Sequence, residues 1–446
     1  MTIRAWLFAL ALAGFAAAPA QAADAPPPIP AAVAGHWQGE LVQQGQALAV
    51  SFDLVADPGA PSGRFSADRW QVMDYPIGGM KLDGASFDFG LNGLELDGTL
   101  ARDTISGTFK GNDGTGTFTL HRTARTPAPY DVTEVTFKDG DVTLSGTIVM
   151  PRTPGRHPAV VMTHGSGPET RWGTSRYVAD RFARAGVAAL IYDKRGSGQS
   201  SGDWKTASYE DLARDALAAV DALAHRPGVD PKRIGVLGHS EGGIVAPIVE
   251  TLAPGKVAFL VAEDTPAQVI KQQDVYRVGN DISSQDWSTA DKALALDTYK
   301  LFVDAAAGDR PMADYEAARA KYKDAAWFQY MGLPDKDSWV WAWYRPRAHL
   351  DIATLWTRVK RPVLLIYGEQ DQLMPVDQTI HRLEDILDAN GAPYAAFIVP
   401  RAEHNLSVHP AAGDPFFWWR QAPGLNDTVA AWILRCTAPD GPCRTD

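Results

Sequence analysis

The chain has 446 residues, of which 45% are hydrophobic, 21% charged and 10% aromatic. That is the profile of a globular protein, not a disordered or collagen-like one, and the length suits two or three domains. With 53 acidic against 42 basic residues the formal net charge is -11, which argues against nucleic acid, whose phosphates call for basic patches. Two cysteines are too few for a disulfide-stapled mini-protein or a four-cysteine zinc site.

Residues 1–22 read as a secretory signal peptide. Arg4 is their only charge, an apolar run covers 6–18, and Ala20-Gln21-Ala22 supplies the small-residue cleavage pattern. The run is shorter than the roughly 20 residues needed to span a bilayer. The expectation is cleavage near Ala22 and a secreted or periplasmic protein with no membrane span. In that oxidising setting Cys436 and Cys443 are expected to pair and pin the tail. Residues 23–34 form a Pro-rich linker.

From 35 to 125 short alternating segments such as "ALAVSFDLVAD" and "TISGTFKGND" are separated by Gly, Asp and Asn. Period-two alternation with frequent turn residues predicts a small all-β antiparallel barrel or sandwich. The opening "GHWQGEL" and closing "GTFTLHR" resemble calycin-like small barrels. Its reading is an accessory domain.

Residues 130–446 change rhythm. A hairpin ("VTEVTFKDGDVTLSGTIVMP") leads into apolar runs: "HPAVVMTH", "VAALIYD", "RIGVLGHS", "VAFLVAE", "PVLLIYGE" and "YAAFIVP". Amphipathic stretches such as "SYEDLARDALAAVDALAHR" lie between them. Doubly buried strands alternating with crossover helices predict an α/β fold, a mostly parallel sheet flanked by helices. The alternation stops at about 266–355, a helical insert carrying Trp327, Trp339, Trp341 and Trp343. These rings either line an apolar pocket or form the insert's own core.

"RIGVLGHSEGG" places Gly238, Ser240 and Gly242 as G-x-S-x-G between a predicted strand and a predicted helix. A sharp turn there lifts the Ser240 hydroxyl above the sheet, and the helix N-terminus behind it faces any oxyanion that forms. A serine needs a base, and the base an orienting acid. Loops at the C-terminal strand ends converge on one face, and two of them offer Asp371 and His404. Rivals are His409 for the base and Glu369 or Asp264 for the acid, while His381 falls inside an amphipathic helix. The oxyanion donors expected are the N–H of Glu241 and a second from the His164-Gly165-Ser166-Gly167 loop, either Ser166 or Gly165.

These motifs resemble the alpha/beta-hydrolase superfamily from about Pro129 to Leu434. "YDKRGSGQSSG" is similar to the branch of serine aminopeptidase-like hydrolases and bacterial carboxylesterases, some secreted with an N-terminal β domain. The resemblance implies an alpha/beta-hydrolase fold with a cap at 266–355. Asp193 and Arg195 within that turn are expected to form a structural ion pair. The reading is a serine hydrolase of carboxylic esters, with no cofactor and no metal, since no Rossmann fingerprint, Walker A or HExxH is present. Two alternatives stay open: a peptidase of short peptides, with cap acids such as Asp304 or Glu316 holding a substrate ammonium, and a non-catalytic protein that binds through the β domain.

Overall fold

A computed structural model describes residues 33–55, 62–83, 86–91, 94–111, 114–411 and 420–443. The predicted signal peptide and nearly all of the Pro-rich linker lie outside them. Eight strands form a closed antiparallel barrel: β1 (Gly35–Gln43), β2 (Gln46–Val55), β3 (Ser62–Ala67), β4 (Val72–Asp83), β5 (Ser86–Leu91), β6 (Leu94–Ala101), β7 (Thr104–Gly111) and β8 (Gly114–Thr123). Each pairs with the next, and β1 closes the ring on β8. Closure removes the exposed edges that an open sheet would present. The period-two pattern does the sorting: Leu48, Val50, Phe52 and Leu54 of β2 point inward with Trp37, Phe65, Phe118 and Leu120. Burial of each such aromatic or aliphatic side chain contributes about 1.5–3 kcal/mol.

The second sheet has the strand order β16-β15-β14-β13-β11-β12-β10-β9. The antiparallel β9 (Tyr130–Asp139) and β10 (Val142–Pro151) sit at one edge, and β10 runs antiparallel to β12 (Ala188–Tyr192). The remainder is parallel: β11 (His157–Thr163), β13 (Val229–His239), β14 (Leu260–Glu263), β15 (Val363–Gly368) and β16 (Tyr394–Val399). After β11 the chain moves outward to β12, then returns to β11's other side as β13. This reversal opens a crevice at the C-terminal strand ends, where sheets of this type place their sites.

Both faces of the sheet are covered, which is why its strands read as unbroken apolar runs. One face packs on α1 (Thr174–Ala185) and α10 (Leu425–Cys436). The other packs on α2 (Tyr209–Ala224), α3 (Glu241–Leu252) and α9 (Val376–Asn390). In α2 the spacing of Leu212, Ala216, Ala219 and Leu223 gives one apolar stripe. A capping box starts the helix: Ser208 accepts from the Asp211 N–H, and the Asp211 carboxylate accepts from the Ser208 N–H. Such a cap is worth about 1 kcal/mol. The Cys436–Cys443 disulfide closes the chain behind α10.

Between β14 and β15 stands a helical cap of α4 (Ile270–Ser284), α5 (Thr289–Ala307), α6 (Met312–Tyr322), α7 (Ala326–Met331) and α8 (Val340–Tyr344). It has its own apolar core, in which Trp327 and Trp343 are buried and against which Trp339 and Trp341 pack. Of the two roles open to these rings, core packing is the one the structure displays.

The barrel is joined to the α/β unit at residues 172–177 and again near α10, where Gln71 donates to the Ala422 carbonyl (3.3 Å) and accepts from the Asn426 amide (2.6 Å). Met73 and Gly173 exchange two backbone hydrogen bonds, at 3.2 and 3.0 Å. Asp74 pairs with the buried Arg176, and Asp68 accepts from the Tyr177 hydroxyl at 2.9 Å. Arg64 stacks on Trp172 with its guanidinium carbon 3.8 Å from the ring centroid, and Arg171 lies over the same ring at 4.7 Å.

Candidate active site

The turn from Gly238 to Gly242 is built by exclusion of side chains. A Cβ on Gly238 would run into the Gly242 carbonyl, and one on Gly242 would lie 2.7 Å from Thr163 Oγ1. With both positions bare, α3 starts directly behind β13 and Ser240 is forced to φ 53°, ψ -113°. The turn is held by the Ser240 N–H donating to the Glu263 carbonyl (2.8 Å) and the Gly243 N–H to the Ser240 carbonyl (3.0 Å). Such a backbone costs of order 1–3 kcal/mol and persists where its surroundings over-determine it. Glu241 is the first residue of α3, so its N–H has no acceptor within the helix.

His404 and Asp371 meet Ser240 from loops after β16 and β15. His404 Nε2 lies 3.1 Å from Ser240 Oγ, and His404 Nδ1 lies 2.8 Å from Asp371 Oδ2. The second Asp371 oxygen accepts from the Leu373 N–H at 2.7 Å, so both carboxylate oxygens have donors. The histidine loop is tightly folded, with Arg401, Asn405 and Leu406 at positive φ. Burial pulls the His404 pKa down, but the Asp371 charge and hydrogen bond, aided by Asp264, bring it to a net value above 6.5. Beside it the His239 ring centroid is 5.3 Å away, and His239 Nε2 meets Asn405 Oδ1 at 2.7 Å. Burial lowers the His239 pKa to about 4, so that ring stays neutral.

Glu369 and His409 are engaged elsewhere. Glu369 accepts from the Arg401 N–H at 2.7 Å, pinning the loop that carries His404. His409 pairs with Glu403 at 3.1 Å, and His381 is exposed on α9. Asp264 is buried next to the His404–Asp371 pair.

The glycine-rich loop departs from expectation in one respect. The Gly165 N–H donates to the Glu169 carboxylate at 3.2 Å, so of the two donors expected from this loop Gly165 is already engaged. Ser166 is exposed at the loop tip. Lys194 ties the arrangement together: its Nζ donates to the Gly165 carbonyl (2.8 Å) and to Glu241 Oε2 (2.5 Å). His164 donates from Nε2 to the Tyr192 carbonyl at 2.5 Å, and burial, with Lys194 nearby, drives its pKa to about 3. A neutral ring there anchors the loop.

A correction concerns Asp193 and Arg195, which do not pair with each other. Asp193 pairs with the buried Arg171 at 2.6 Å. Arg195 is held by Asp215 (2.7 Å) and Asp139 (2.9 Å). Their turn bends back on itself, with Gly196 and Gly198 at positive φ, so neighbours in sequence face different partners. Arg171, Lys194 and Glu169 were not singled out by sequence. A hint lay in their position: Lys194 is inside the 192–202 motif, and Glu169 and Arg171 lie two and four residues past Gly167.

Among the described residues one group of acids and histidine lies close enough to hold a metal, Asp264, Asp371 and His404. His404 and Asp371 of this group are hydrogen-bonded to each other, and Ser240 lies on the far side of the His404 ring.

The X-Pro dipeptidyl-peptidase (S15) family matches residues 139–410, well over half of the chain. Esterase EstD of Thermotoga maritima is 29% identical over 153 residues, 32% of this chain and 36% of that protein. Quorum-quenching protein AidA of Acinetobacter baumannii is 32% identical over 117 residues, 26% of this chain and 37% of that protein. The chain thus spans little more than a third of the length of these two relatives. Among solved structures, an esterase of Pyrococcus furiosus is 18% identical, with 70% of this chain and 93% of that chain covered and a TM-score of 0.42. The extent of the family match, over a sheet, cap and nucleophile turn of this form, decides the assignment: the chain is an alpha/beta-hydrolase and belongs to the X-Pro dipeptidyl-peptidase (S15) family.

Proposed function

We propose that this hydrolase cleaves carboxylic esters through an acyl-enzyme intermediate. The observation that carries the reading is the continuous line from Ser240 Oγ to His404 Nε2, and from His404 Nδ1 to Asp371. Ser240 attacks the carbonyl carbon as its proton passes to His404 Nε2, and Asp371 holds the ring in the tautomer that can accept it. The oxyanion of the tetrahedral intermediate is met by the Glu241 N–H and, with Gly165 engaged elsewhere, by the Ser166 N–H; one such donor contributes about 3–4 kcal/mol. The proton on His404 goes to the leaving alcohol. A water, deprotonated by the same histidine, then hydrolyses the acyl-enzyme.

A fluorophosphonate probe tests the nucleophile: it should label the wild type and fail on Ser240→Ala. Equal labelling of both, or none of the wild type, sinks the proposal. The acid limb of kcat/KM reports His404. Because its folded pKa is raised, activity should fall as pH drops through a value above 6.5.

The family match favours a second reading, cleavage of short peptides. Of the two cap acids the sequence offered for a substrate ammonium, Asp304 is engaged by Lys271 at 3.4 Å and Glu316 is exposed on α6. Esters therefore come first. A panel of p-nitrophenyl acyl esters beside aminoacyl and X-Pro anilides decides, and preference for the anilides reverses the order. We also propose export, supported by the signal-like 1–22 segment and the Cys436–Cys443 disulfide. N-terminal sequencing of protein recovered from cell fractions tests it.

A further inference from the structure

Asp264 has features that neither the fold nor the hydrogen-bonded triad uses. It follows β14 directly, at φ 46°, in the left-handed region that residues other than glycine seldom occupy. Its relative exposure is 0%. Oδ1 accepts from the Gly368 N–H at 2.9 Å, whereas Oδ2 is buried and lacks a well-formed hydrogen bond. Polar atoms of Asp264, Asp371 and His404 all lie within 4.8 Å of one another. The Asn405 N–H, on the loop that carries His404, also acts on the Asp264 carboxylate; a buried, strained carboxylate set against the histidine that must carry a positive charge in mid-reaction is costly to keep for structure alone.

We infer that Asp264 is a second acid for His404, a positioning residue that faces the imidazolium formed during acyl transfer and takes over its orientation when Asp371 is lost. The inference rests on the serine-hydrolase reading. Gly368 anchors Asp264 to the strand that leads to Asp371, so the two acids keep a common register. Other groups facing the pair are Glu263 on β14, Tyr367 on β15, His239 at the end of β13, Arg277 on α4 of the cap and the Asn405 backbone in the His404 loop. Tyr367 donates its hydroxyl to the Thr265 carbonyl and stays protonated. His239 stays neutral. Arg277 opposes a charge on His404, and Asp371 and Asp264 favour it. Burial raises the Asp264 pKa well above the ordinary carboxylate range, with His404 pulling the other way and Asp371 adding to the rise. A group whose folded pKa is raised in this way stabilises the fold at low pH and loses that contribution as pH rises through the folded value.

The experiment compares wild type, Asp264→Asn, Asp371→Asn and the double variant on p-nitrophenyl acetate across pH, beside fluorophosphonate labelling and thermal melting. Asn tolerates positive φ and keeps an acceptor for Gly368. Asp264→Asn should move the acid limb of kcat/KM to lower pH, because a negative charge that raised the His404 pKa is gone. It should also melt higher than wild type at pH 8, since the folded protein no longer carries a buried carboxylate there. Asp371→Asn should lose well under the roughly 10⁴-fold typical of a triad with one acid, and the double variant should lose that full amount. An unmoved acid limb, or an Asp371→Asn loss that the second substitution does not deepen, overturns the inference while leaving the nucleophile intact. If Asp264→Asn does not fold, Asp264→Gly, which suits φ 46°, carries the same comparison. A wild type that neither labels nor turns over ester overturns the serine-hydrolase reading itself, and this inference with it.

Discussion

The barrel and the α/β unit bury different things. Among the described residues Gln43 is the barrel's buried polar side chain, in a core otherwise made of Trp37, Phe52, Phe65, Phe109, Phe118 and aliphatic residues. The α/β unit buries Arg171, Asp193, Lys194, Arg195, Asp215, Glu241, Asp264 and Asp371 as well as its apolar core. Taking charges out of water costs several kcal/mol each unless partners repay it. The barrel avoids that cost, while the α/β unit accepts it around the loops that carry Ser240 and His404. Apolar contact sets distances only loosely; a buried ion pair sets direction as well, and a reacting site requires direction.

Four substitutions would break or sharpen this contrast. The largest expected effect is Ser240→Ala, which should lower kcat by about 10⁶-fold with no loss in the calorimetric melting temperature. A matching loss of stability would show that the strained turn is structural. Asp193→Ala should cost about 3–5 kcal/mol in denaturant unfolding, because Arg171 is left buried without its nearest acid; a cost near zero would mean that Glu134 alone is sufficient. In the barrel, Leu120→Ala should cost about 2–5 kcal/mol, seen as an early separate transition with kcat unchanged. A fall in kcat in step with it would make the barrel part of the catalytic machinery. The smallest expected change is for Arg181→Ala. Its bidentate pair with Asp427 joins α1 to α10 at the surface, with side chains 35% and 53% exposed, so the loss should be about 0–1 kcal/mol.

What sequence could and could not reveal follows the same division. Period-two alternation is local, so the β strands of residues 35–125 were legible, and the closed barrel resolves the choice between barrel and sandwich. The convergence of Ser240, Asp371 and His404 was legible because a parallel sheet gathers the loops at its C-terminal strand ends on one face, whereas the order of the strands was not read from sequence. Partners in charge pairs were not. Asp193 and Arg195 lie two positions apart, yet their partners are Arg171, in the loop between β11 and α1, and Asp215, on α2. Nor did the pattern show that the Gly165 N–H is spent on Glu169, or that Trp327 and Trp343 turn into the cap instead of toward a ligand. A tryptophan in an amphipathic helix has the same spacing whichever way its neighbours press it.

The joint between Met73 and Gly173 has a consequence for how such a chain can change over generations. Both of its hydrogen bonds belong to the main chain, so the residue at Met73 is free to vary in identity while the bonds remain. Gly173 is not so free: it sits at φ 73°, and a Cβ there would lie 3.1 Å from the Tyr75 ring. A splice written in backbone leaves one glycine as its signature. At this one contact the side chains can diverge while the main-chain bonds hold, whereas Asp74–Arg176 and Asp68–Tyr177 beside it must be kept in kind.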